Sequence, residues 1–170
     1  MMWSTIKSLI TATGASGLLV LFSVHVIAPA LPRVIGPADY TETRSLEWTG
    51  ARTLRLTNQD GFVRVWTRPG AECRATAEIR VYSRGENGPA HGKAYATQLV
   101  TAQHVDDTIE IMTEAGERPY DLEVFVDYTL EVPRDMDIEI SSANGNVWVY
   151  DGCGSVRVTG VNSDIAVSRP

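Results

Sequence analysis

From Thr53 onward the chain alternates. Apolar side chains fall at every second position in Thr53-Leu54-Arg55-Leu56-Thr57, Phe62-Val63-Arg64-Val65-Trp66 and Ala77-Glu78-Ile79-Arg80-Val81-Tyr82. The same holds for Thr108-Ile109-Glu110-Ile111-Met112, for Leu122 through Val132, and for Asp137-Ile138-Glu139-Ile140. A strand points successive side chains to opposite faces, so each segment reads as a strand with one buried and one polar face. Nearly everything beyond residue 50 is therefore strand and turn. An apolar content of 44% is ample for a core.

Near the C-terminus the alternation becomes a repeat. Gly145 leads Asn146-Val147-Trp148-Val149, Gly154 leads Ser155-Val156-Arg157-Val158, and Ser163 leads Asp164-Ile165-Ala166-Val167. The interval is nine residues, and Asn144-Gly145 returns as Asn162-Ser163 after eighteen. Four or five residues of strand followed by a Gly or Asn corner suit a chain that winds. Val147, Val149, Val156, Val158, Ile165 and Val167 are then expected to face inward, leaving Trp148, Arg157 and Ala166 outside.

The first 36 residues differ. No Asp, Glu, Lys or Arg occurs from Leu9 to Leu31, and about 20 apolar residues suffice to cross a bilayer. The run predicts one N-terminal transmembrane helix that anchors the chain. A secretory signal removed after Ala28-Pro29-Ala30 is the alternative. The sequence thus divides into an anchor or signal segment over 1–36, a Pro- and Gly-containing linker over 37–45, and a β domain over 46–170. Lys7 lies before the run and Arg33 after it, so the charge bias toward a cytoplasmic N-terminus is slight. It leans toward a periplasmic or extracellular β domain. His25 stands in the run without an acidic partner and reads as a neutral, locally bonded side chain. Residues 84–106 break the alternation. They read as an exposed excursion, with Ala94 to Val105 ambiguous between helix and strand.

Composition excludes several functions. The formal charge is −6, every acidic residue follows Pro37, and no basic patch is interleaved with aromatics. Nucleic-acid binding is excluded on that ground. Cys73 and Cys153 form no metal-ligand pattern. In an exported domain a disulfide between them is chemically allowed, and two buried thiols are the other reading. No cofactor motif is present.

Paired carboxylates offer the main enzymatic alternative. Asp106, Asp107 and Glu110 cluster in sequence, as do Asp135, Asp137 and Glu139. Such pairs serve sugar-cleaving enzymes or calcium sites, yet alternating Asp137 and Glu139 equally make a solvated strand face. The paired glycines and regular Asp of calcium-binding nonapeptides are missing. His91 and His104 sit in no catalytic arrangement, and no Gly-x-Ser-x-Gly elbow occurs. The aromatics Trp66, Tyr82, Tyr120, Trp148 and Tyr150 are better placed. Trp148 lies between two inward valines, so alternation puts it outside, where a ring stacks on sugars or anchors a protein. Trp148, Tyr150 and Arg157 are accordingly the expected binding face. The competing expectation is that the 84–106 excursion covers Trp148.

The segment from Tyr128 to Val167, with Val132-Pro133, Ile138, Ile140, Asn144-Gly145, Val147 and Val149, resembles the bacterial putative-adhesin family of β-solenoid domains. Leu54 to Val65 is similar to that family's opening coil. The resemblance spans roughly residues 46 to 167. It implies an all-β fold, a short single-stranded β-solenoid behind the N-terminal helix. It also implies an envelope-associated binding or scaffold module with no catalytic residues. Family members commonly continue through more repeats, whereas this chain stops at Pro170. The last coil is thus expected to present an open edge to a partner or another copy, and assembly into polymers is a further alternative.

Overall fold

The computed structural model describes residues 7–13, 19–25, 37–84, 88–113, 119, 121–150 and 154–168. Two mixed sheets face each other across one apolar core. In chain order the strands are β1 Lys7–Thr13, β2 Leu19–His25, β3 Tyr40–Thr49, β4 Thr53–Asp60, β5 Val63–Arg68 and β6 Glu72–Ser83. Helix α1, Gly88–Leu99, follows. Then come β7 Val100–Val105, β8 Thr108–Thr113, β9 Leu122–Pro133, β10 Asp137–Asn144, β11 Val147–Tyr150, β12 Val156–Val161 and β13 Ile165–Ser168. The first sheet runs β1-β2-β12-β10-β4-β8-β7, and the second runs β13-β11-β5-β9-β6-β3.

Alternation is realised as face selection. In β9, Leu122, Val124, Val126, Tyr128, Leu130 and Val132 are buried and the residues between them face outward. Tyr128 keeps its hydroxyl satisfied inside the core. It shares a 2.8 Å hydrogen bond with Thr113, whose Oγ1 donates to Asn58 Oδ1 at 3.1 Å. Asn58 Nδ2 in turn donates to the Val126 carbonyl at 2.9 Å. Unpaired, such groups would each cost about 1–3 kcal/mol.

The architecture is not a single-stranded β-solenoid. A solenoid lays each coil on the previous one, but here β4 lies between β8 and β10, and β5 between β9 and β11. Both sheets also contain antiparallel pairs, β7 with β8 and β6 with both β3 and β9. The eighteen-residue interval survives as a local register. Ile138 pairs in parallel with Val156, and Val147 with Ile165. Parallel pairing at a longer interval joins Leu54 to Ile138 and Val63 to Val147. Val147, Val149, Val156 and Val158 are buried as expected, while Ile165 and Val167, at the sheet's end, are half-buried.

Glycine and asparagine turn the corners between the sheets. Gly61 (φ +127°) and Gly145 (φ +133°) follow Asp60 and Asn144. The corner side chains form a ladder: Asn144 Nδ2 donates to Asp60 Oδ1 at 2.8 Å, and Asn162 Nδ2 to Asn144 Oδ1 at 3.0 Å.

The N-terminal expectation is also corrected. The described part of the 9–31 run is strand and not transmembrane helix: β1 and β2 pair antiparallel, Lys7 opposite His25, and β2 adds in parallel to β12. Among the described residues no helix is long and apolar enough to cross a membrane. An uncharged run satisfies a bilayer or a sheet edge equally, and here β12 supplies the backbone partners. The segment read as a linker over 37–45 is largely strand, since β3 starts at Tyr40. The 84–106 excursion resolves into α1 and β7. The helix packs on β6 and β3, where Gly92 allows close approach to Val81 and Tyr40. Arg44 of β3 donates to the carbonyls of Ala96 (2.8 Å) and Val100 (3.3 Å), closing the C-terminal end of α1.

Candidate functional site on the outer face of the second sheet

Strands β5 and β11 build the site. Val63 and Val65 point into the core, so Arg64 and Trp66 point out; Val147 and Val149 do the same for Trp148 and Tyr150. Parallel register sets Trp148 opposite Arg64 and Tyr150 opposite Trp66. Strands about 4.8 Å apart bring such neighbours into contact. The Trp66 and Tyr150 rings stack with centroids 4.0 Å apart and planes 8° from parallel. Phe62 completes the cluster from the corner. Its backbone N–H donates to Asp127 Oδ1 at 2.9 Å, and its ring lies 5.5 Å from Trp148 at 42°. The Arg64 guanidinium carbon is 5.8 Å from the Phe62 centroid and 5.5 Å from that of Trp148. Cation–π attraction holds it there.

The cluster is partly open to solvent, with Arg64, Trp148 and Tyr150 half-buried. Trp66 is 45% exposed and Phe62 37%. On the far side of β11, β13 places only Ala166 opposite Trp148 and Ser168 opposite Tyr150. Helix α1 packs on β6 and β3 instead, so the expectation that the excursion covers Trp148 is not met. An aromatic cluster with a cation beside it recognises a ring-shaped or planar ligand by apolar contact.

Arg157 does not join this face. It extends from β12 on the outer side of the first sheet, with Nη1 3.9 Å from Glu139 Oε1. There it ends a ladder across five strands. Arg55 Nε donates to Glu139 at 2.8 Å, Arg55 Nη1 reaches Glu110 at 3.4 Å, and Gln103 donates to Glu110 at 2.7 Å. A groove of about 210 Å³ runs beside Arg55, Glu139 and Arg157. These exposed pairs contribute little stability individually.

Of the acidic residues weighed for sugar cleavage, Glu110 and Glu139 are engaged in this ladder. Asp137 accepts from Ser155 Oγ at 2.6 Å and Ser155 N at 2.7 Å. Those bonds hold its carboxyl below the usual range, whereas a general acid needs it raised. Among the described residues no group of three or more His, Cys, Asp or Glu side chains is placed to hold a metal ion. His91 and His104 are exposed.

Cys73 is buried on β6, its thiol free and pushed up to about 12 by burial. Cys153 lies outside the described residues, as does Tyr120. Tyr82 packs edge-on against Phe125, 5.9 Å away, apart from the Trp66–Tyr150 stack. Sequence reasoning singled out Trp148 and Tyr150 but missed Phe62 and Arg64. The signal was present, since Phe62-Val63-Arg64-Val65-Trp66 has the same alternation as Val147 to Tyr150. The pairing of β5 with β11 was not.

No family model and no curated protein matches the chain. Solved structures similar to it include a "putative cell adhesion protein" from Clostridium sporogenes, at 7% identity and a TM-score of 0.33, covering 76% of this chain and 100% of that one. A "putative adhesin" from Parabacteroides distasonis has 6% identity and a TM-score of 0.43, covering 75% of this chain and 56% of its own. The chain thus spans just over half of that protein. A third, a "putative adhesin" from Bacteroides fragilis, has 6% identity and a TM-score of 0.35, covering 79% and 99%.

Proposed function

We propose that this chain is a non-enzymatic, adhesin-like binding module of the cell envelope that holds saccharide through the outer face of its second sheet. The observation that carries the reading is the cluster of exposed Phe62 and Trp66 with half-buried Trp148 and Tyr150 on paired strands. Sugar rings present apolar C–H faces that pack on aromatic faces, and two rigid strands pre-organise the rings at little entropic cost. Location outside the cytoplasm belongs to the same proposal. It predicts that protease added to intact cells degrades the domain, or does so once the outer membrane is opened.

Affinity electrophoresis through gels containing envelope polysaccharides tests the binding. Retardation of the wild-type chain, reduced about tenfold or more in Trp66→Ala and Trp148→Ala with unchanged urea midpoints, is expected. Equal migration of the variants and the wild type in every gel would sink the reading.

A further inference from the structure

The cation in the aromatic cluster is chemically unlike the other arginines of the strands. Arg44, Arg55, Arg68, Arg74, Arg80 and Arg157 each pair with a carboxylate. Arg64 has no carboxylate partner among the described residues; its neighbours are the rings of Phe62 and Trp148. The nearby acids are already engaged. Asp127 binds Arg80 and the Phe62 amide, and Glu131 binds Arg68. In a chain of formal charge −6, an arginine without a counter-charge among the described residues, beside an aromatic cluster, is a place prepared for an anion.

We infer that the ligand of this face is a carboxylate-bearing saccharide of the uronic-acid type, its ring on the aromatic platform and its carboxylate on Arg64. This rests on the saccharide reading above and adds the ligand's charge. Along β5, Arg64 and Trp66 are two residues apart, roughly 7 Å. One sugar ring against the Trp66–Tyr150 stack therefore puts a ring substituent within reach of the guanidinium. The fork of N–H donors matches a planar carboxylate bidentately. A single cation on an acidic protein favours a singly charged group over a doubly charged phosphate. Arg64, with its guanidinium carbon 5.5 and 5.8 Å from two ring centroids, keeps its N–H donors for that contact, and the apolar rings beside it strengthen the contact by partial desolvation.

Calorimetric titration of the full chain decides it. The probes are oligomers of galacturonate, glucuronate and mannuronate, the same oligomers with carboxyls reduced to alcohols, and a sulfated oligosaccharide. At least one uronate is expected to bind about tenfold or more tightly than its reduced counterpart, and more tightly than the sulfated sugar. Arg64→Gln should remove the discrimination, so that the uronate and its reduced counterpart bind the variant alike. Arg64 makes no ion pair among the described residues, so this variant should lower the urea midpoint only slightly, by its lost cation–π contacts. Equal affinity for acid and reduced forms, preference for the sulfated probe, or an Arg64→Gln variant that binds like wild type overturns the inference and leaves the saccharide reading standing. Absence of binding to every probe, with Trp66→Ala silent in the polysaccharide gels, removes both.

Discussion

Gly145 has the carbonyl oxygen of Gly61 2.0 Å from where a Cβ would sit, and φ of +133°. Gly61 has the Val126 carbonyl oxygen at 2.2 Å from its own virtual Cβ. Any side chain at these corners meets backbone, which has no room to move. Gly145→Ala should therefore destabilise by about 3 kcal/mol or more, read as a lower urea midpoint. Gly50 is the control. Its φ is +83° but nothing lies within 4 Å of the virtual Cβ, so Gly50→Ala should lose only about 1 kcal/mol. Two buried acids make a second residue-scale prediction. Burial pushes the Cys73 thiol from 9.0, and the Tyr128 phenol from 10.0, up to about 12 in each case, with the Thr113 hydrogen bond opposing the shift at Tyr128. A folded-state pKa above the unfolded value means the stabilisation is complete below the unfolded pKa. It is lost as pH rises through the folded one. The urea midpoint should fall from about pH 9 toward pH 12. Cys73→Ala should abolish the part that begins near 9.0, leaving the Tyr128 part from 10.0.

At the scale of elements, α1 depends on one side chain. Its last turn carries no basic residue of its own, so the open carbonyls at its C-terminal end are served from outside. Arg44 supplies that charge from β3 while Glu42 holds it, Nε to Oε1 being 2.6 Å. The same bond keeps the Glu42 carboxyl below its usual range. Charge-assisted bonds to carbonyls at a helix C-terminus stabilise both partners. Arg44→Ala should cost about 2 kcal/mol and leave Glu42 without its partner. Hydrogen exchange should show it first in α1, whose amides lose protection while those of β4 and β10 stay slow. Uniform loss across all strands would mean that Arg44 supports the whole core rather than the helix.

For the whole molecule, both sheets end on the same side. The second sheet ends at β13 with no further strand among the described residues, while in the first sheet β2 covers β12 and β1 covers β2. A chain restricted to 37–170 would leave β12 and β13 open side by side. Two adjacent uncovered parallel edges are a template for end-on pairing. Sedimentation velocity should show stronger concentration-dependent association of 37–170 than of the full chain, in which β1 rather than β12 is the outer strand beside β13. A truncated chain that stays monomeric at high concentration would show that β2 does not protect the end.

Much of this molecule follows from local rules. Alternation set which side chains of β4, β5, β9, β10, β11 and β12 face the core, because a strand's side-chain period of two holds whatever the strand pairs with. It therefore placed Trp148 and Tyr150 outside, and the Asn-Gly corners followed from the need for positive φ. Pairing was not legible. Leu54 joins Ile138, and Arg64 joins Trp148, 84 residues away in sequence, so the rings of β5 and β11 meet only once register and a shared core select those partners. Arg157 shares the outward alternation of Trp148 but stands on the other sheet, a distinction that periodicity does not contain. The uncharged run at 9–31 shows the same division. Its lack of charge suits a bilayer or a sheet edge alike, and the pairing with β12 puts Leu19–His25 into the first sheet as a strand.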